Sequence, residues 1–69
     1  MSDRPLSADE IRSMNLNDRL HLLNELRLEL IRLRTQAATG TLTNVARIRM
    51  LRKNIARILT VINEERAKK

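Results

Sequence analysis

An all-α fold, an antiparallel hairpin of two long helices with a short N-terminal helical turn, is what this sequence predicts. Three observations carry that expectation: two apolar stripes whose members recur at steps of three and four residues, side chains suited to capping in front of each helix, and one Gly and one Pro in 69 residues. The chain is read as a single domain over residues 1–69, with helices at about 7–14, 16–39 and 45–66.

Pro5 stands in the lead-in. Ser7 and Glu10 have the spacing of a capping box, so a short helix begins there, carries Ile11 and Met14, and ends near Met14. Asn15 can cap the next helix, with Asp18 in its first turn, where a carboxylate suits the helix dipole. From Leu16 onward, Leu20, Leu23, Leu26, Leu30, Leu33 and Ala37 form one stripe along a helix that runs to about Thr39. Gly40 then supplies the left-handed residue that ends helices. Thr41, Leu42 and Thr43 make a short connection, and Asn44 can cap a second long helix with the stripe Ile48, Leu51, Ile55, Ile58 and Ile62. At about 1.5 Å per residue each long helix spans roughly 33 Å. The short link forces them antiparallel, with shallow, coiled-coil-like packing and a thin core.

Composition narrows the function. The chain has no Phe, Tyr, Trp or Cys, so neither aromatic packing nor disulfides support the small fold. The lack of Cys also excludes a thiol nucleophile and a cysteine-ligated zinc site, and favours an intracellular setting. No apolar run is long enough for a membrane span, and Met1-Ser2-Asp3-Arg4-Pro5 lacks a signal pattern, so a cytoplasmic protein is expected. No enzyme activity, cofactor, metal or small-molecule substrate is expected. His21 has no second ligand of its kind. Glu25 and Glu29 sit one turn apart with no nucleophile or cleft to serve them, and Leu28 is a lone apolar residue among polar neighbours.

The formal charge is +6, and 11 of the 14 basic residues are Arg, whose planar fork bonds two phosphate oxygens at once. The charge is uneven. Arg32, Arg34, Arg47, Arg49, Arg52, Lys53 and Arg57 lie in a stretch from Leu30 to Asn63 that holds no acid. Arg49, Lys53 and Arg57 follow at spacings of four on one face, a like-charge ladder in which each pair costs roughly 0.2–0.5 kcal/mol in an isolated helix. That ladder lies opposite the Ile48, Leu51, Ile55, Ile58 stripe, so something outside the chain should supply the negative charge. Without aromatic rings to stack on bases, the chain should read the shape and backbone of folded RNA, with arginines on phosphates and Gln36, Thr39, Asn44 and Thr60 on sugars. A basic coiled-coil or helix-turn-helix DNA-binding module is the alternative, but it needs a short base-reading helix rather than a face along a long one. A basic amphipathic membrane helix would need its apolar side free, and here a partner helix uses it.

The segment Asn44-Val45-Ala46-Arg47-Ile48-Arg49-Met50-Leu51-Arg52-Lys53-Asn54-Ile55-Ala56-Arg57-Ile58 resembles the signature of the ribosomal protein L29 family of the large subunit. Glu25-Leu26-Arg27, the turn Arg34-Thr35-Gln36-Ala37-Ala38-Thr39-Gly40 and the total length extend the resemblance over nearly the whole chain. Val45 stands where the family more often has a small polar residue or Pro. The compact length, Glu10-Ile11-Arg12 and the short tail are more similar to the archaeal or bacterial form than to the eukaryotic one. The resemblance implies a structural constituent of the large ribosomal subunit, bound to ribosomal RNA near the exit of the nascent-peptide tunnel and supporting translation. Its implied neighbours are ribosomal protein L23 and factors that meet emerging chains, such as the signal recognition particle or chaperones. Matched position by position, the implied RNA contacts are Arg32, Arg34, Gln36, Thr39, Asn44, Arg49, Arg52, Lys53, Arg57 and Thr60, with Ala56 keeping the helix surface low for the RNA backbone.

Overall fold

The computed structural model describes residues 4–40 and 45–67. The expected connection Thr41–Thr43 and the cap and RNA contact expected at Asn44 lie outside the described residues. Three helices follow in order: α1 (Ala8–Arg12), α2 (Leu16–Ala38) and α3 (Val45–Ala67). No strand occurs among the described residues. The fold is all-α, and α2 and α3 lie antiparallel: Arg19 near the start of α2 pairs with Glu65 near the end of α3, and Glu29 further along α2 pairs with Arg47 near the start of α3.

Local chemistry sets the helix starts. Ser7 is the N-cap of α1, its hydroxyl accepting from the Glu10 backbone N–H at 3.1 Å, and Asn15 caps α2 in the same way through the Asp18 N–H at 2.8 Å. The first helix stops at Arg12, before Met14, because Ser13 already turns the chain toward the next cap; its hydroxyl donates to the Glu10 carbonyl at 2.6 Å. Gly40 ends the α2 side with φ +80°, a conformation that strains side chains bearing a Cβ.

The core joins Leu6 and Ile11 to Leu22, Leu23 and Leu26 of α2 and to Leu51, Ile58 and Val61 of α3. Its composition corrects the expected stripes. Leu16 and Leu20 are about half exposed and Ala37 is exposed. The reason is drift: a stripe stepping 3.5 residues on average slides about 20° per heptad around a straight helix of 3.6 residues per turn, so its ends leave the seam. On α3, Ile48, Ile55 and Ile62 are half-buried, while Asn54 and Val61 are fully buried. Asn54 faces the N-terminal segment, which widens the covered face of α3 beyond what α2 alone would cover.

We call residues 4–7 the strap. Asn54 latches it to α3, its side-chain oxygen accepting from the Leu6 N–H and its amide nitrogen donating to the Arg4 carbonyl, both at 3.0 Å. A fully buried amide is tolerated because both of its ends are satisfied. Arg19 is the second buried polar anchor at 4% exposure: its Nε donates to the Ile11 carbonyl and its Nη2 to the Arg12 carbonyl, both at 2.9 Å, and its Nη1 pairs with Glu65. One guanidinium thus caps the C-terminal end of α1 and ties α2 to α3, and its charge is compensated by a carboxylate and two carbonyls.

Arg4 grips Glu10 with two bonds of 3.0 and 2.8 Å and holds its carboxyl below the usual carboxylate range. A depressed carboxyl pKa contributes stability that is present above the unfolded value and is lost as pH falls through the folded one. Carbon-detected NMR titration should therefore find Glu10 protonating at lower pH than an ordinary glutamate, with Arg4→Ala raising it toward the usual range while the Ser7 bonds remain. An unshifted Glu10 in the parent chain would remove this clamp from the description of the strap.

Candidate nucleic-acid interface

Helix α3 carries two distinct faces because 100° per residue separates its apolar and basic positions. Leu51, Ile58 and Val61 turn inward, while Arg49, Arg52, Lys53, Ala56, Arg57 and Thr60 are all exposed on the outer side. From Arg49 to Thr60 this surface extends about 16 Å along the axis at 1.5 Å per residue. Ala56 lies between the basic side chains and leaves the backbone surface low at the middle of the patch.

Ion pairing divides the basic residues into two groups. Arg4 pairs with Glu10, Arg12 with Asp9 and Glu64, Arg19 with Glu65, and Arg47 with Glu29. His21 takes Glu25 at 3.0 Å, so Glu25 and Glu29, one turn apart on α2, belong to separate pairs. Arg49, Arg52 and Lys53 have no carboxylate within ion-pair distance among the described residues. Negative charge within the chain is drawn to the helix ends and the inter-helix seam, and the outer face of α3 keeps its positive charge.

Arg57 departs from the simple ladder. Its Nη1 donates to the Leu6 carbonyl at 2.9 Å, so this exposed side chain also tethers the strap. The Thr60 hydroxyl donates to the Ala56 carbonyl at 2.8 Å, and that of Thr39 to the Gln36 carbonyl at 2.9 Å.

The positions expected on α2 do not form one face with each other. Arg32 and Gln36 are four residues apart and share a flank, whereas Arg34, two residues from Arg32, leaves the helix about 200° away. Arg27, exposed and seven residues before Arg34, lies on Arg34's face. Sequence reasoning passed over Arg27 because it falls in the acid-rich half of the chain, yet no carboxylate pairs with it among the described residues.

No helix among the described residues is long and apolar enough to cross a membrane. The family model described as Ribosomal L29 protein matches residues 9–64. A large ribosomal subunit protein uL29 of Staphylothermus marinus is 62% identical over 60 residues, covering 87% of this chain and 90% of the relative. The protein of the same name from Pyrobaculum aerophilum is 48% identical over 68 residues, 99% of this chain and 91% of the relative. That of the bacterium Rubrobacter xylanophilus is 45% identical over 64 residues, 93% and 96% respectively. No solved structure matches the chain.

Proposed function

Because the chain belongs to the ribosomal L29 protein family, a structural component of the large ribosomal subunit and not an enzyme, we propose that it holds folded ribosomal RNA through the outer face of α3. One observation carries this reading: Arg49, Arg52 and Lys53 stand exposed around Ala56 with no carboxylate partner among the described residues, while Asp9, Glu10, Glu29, Glu64 and Glu65 are taken by other arginines. A phosphate backbone supplies the missing charge, and arginine forks bond it bidentately. Arg57 and Thr60 extend the contact along α3, and Arg32, Arg34, Gln36, Thr39 and Asn44 contribute from the turn half of the hairpin.

The resemblance further supports a place near the exit of the polypeptide tunnel of the cytoplasmic ribosome, beside ribosomal protein L23 and within reach of the signal recognition particle or chaperones. Leu16, Leu20, Leu28 and Ile31 of α2 are exposed and offer such neighbours an apolar surface.

The deciding measurement is competition. Purified protein should prefer folded large-subunit RNA over bulk RNA at moderate salt, and an unrelated helical protein of equal net charge should not. Equal behaviour of the two proteins would reduce the cationic face to nonspecific attraction.

A further inference from the structure

Where the strap meets α3, Pro5, Ala46, Arg49, Met50, Lys53 and Asn54 line a cleft of about 230 Å³. That is several times the roughly 30 Å³ a water molecule occupies in the liquid, and enough for a flat heterocycle. Pro5 lines it from the strap, and Ala46 and Met50 line it from α3. Both ends of the Asn54 amide are already bonded to the strap backbone, so the lining is mostly apolar. Arg49 and Lys53, both exposed, complete the lining with no carboxylate partner among the described residues. A group that fits both features has a flat, largely apolar body and an attached anion, which is the chemistry of a nucleotide.

We propose that this cleft seats one unstacked nucleotide of the bound RNA, its base between Pro5 and Met50 and its phosphate on Arg49 and Lys53. The proposal rests on the reading of the α3 face as RNA-binding and gives that face a single point of base contact. Unstacking is least costly for a base that is already unpaired, so the nucleotide is a bulge or loop base of an otherwise folded RNA. Because the Asn54 amide is bonded to the strap at both ends, the walls carry no group fixed for one base edge, and the contact accepts any base. The strap becomes part of the interface through Pro5.

Two measurements on the full chain test this. In methyl NMR, titration with uridine 5′-monophosphate should shift the Ala46 and Met50 methyl signals upfield, as a ring current does, whereas inorganic phosphate should leave them in place. Equal responses to the two ligands, or none, would overturn the cleft as a base site. Ala46 is exposed, so Ala46→Leu fills the cleft without entering the core. With unchanged circular dichroism, this variant should bind a folded rRNA fragment about tenfold more weakly at the same salt slope, in keeping with one lost base contact. Undiminished RNA binding by the variant removes the inference. If it also loses a large-subunit protein, a protein side chain is the occupant instead. Absence of any RNA preference in the parent chain would sink the underlying reading, a result distinct from the other two.

Discussion

Replacing Leu51 by Asp should unfold the hairpin. Leu51 is fully buried in the thin aliphatic core shared by the strap, α1, α2 and α3. Truncating a buried Leu costs about 2–5 kcal/mol, and the introduced carboxylate adds the penalty of an unpaired charge. A core of this size supplies no more than about 3–5 kcal/mol, so the loss is comparable to the whole stability. Circular dichroism at 25 °C should show collapse of helicity, with no cooperative melt. Leu28→Asp is the matched control, since Leu28 is 56% exposed, and it should change stability by no more than about 0.5 kcal/mol. A Leu51→Asp chain that melts like the parent would contradict the packing.

The second large effect concerns RNA. The triple variant Arg49→Ala, Arg52→Ala, Lys53→Ala should bind folded large-subunit RNA on the order of a hundredfold more weakly, because several charged hydrogen bonds to phosphate are lost together. Its affinity should also depend less steeply on salt, by roughly 0.9 in the log–log slope for each contact removed. Helicity should persist, since Ala is the best helix former and these side chains bury nothing. Arg57 is left out of the set because it also holds the Leu6 carbonyl, and its removal would mix a loosened strap with a lost phosphate contact. Arg12→Ala serves as the charge control: Arg12 is already paired with Asp9 and Glu64, so its loss should leave RNA affinity nearly unchanged. A loss per charge removed that is the same for Arg12→Ala as for the triple variant would mean that net charge, and not the α3 face, governs binding.

The helices were legible because their signals are local. Ser7 and Asn15 cap where their spacing to Glu10 and Asp18 indicates, Gly40 takes the left-handed turn, and Leu23, Leu26, Leu51 and Ile58 lie where the period of the stripe puts them. The strap was not legible, because it depends on contacts between distant residues. Nothing in the periodicity marks Asn54 as buried, since a polar residue off the apolar stripe reads as solvent-facing until two backbone groups from the strap are brought to it. Arg19 was hidden for the same reason: one more arginine in the sequence, it becomes a buried clamp once α1 ends beside it. The outer face of α3 was readable as a face, since residues four apart stack on any helix. The division of Arg57 between strap and exterior required the fold.

The Asn54 latch and the Arg19 clamp set an order of events during synthesis. Leu6 meets a partner 48 positions later in the chain, and Arg19 meets one 46 positions later. A growing polypeptide emits its N-terminal end first, so the strap and α1 wait, unclosed, until α3 has been added. Through that interval Leu22, Leu23 and Leu26 have no opposing helix and present a sticky edge to the cell. Closure is therefore a late step, and a message cut short before Leu51 yields a fragment that lacks the α3 residues covering its own leucines.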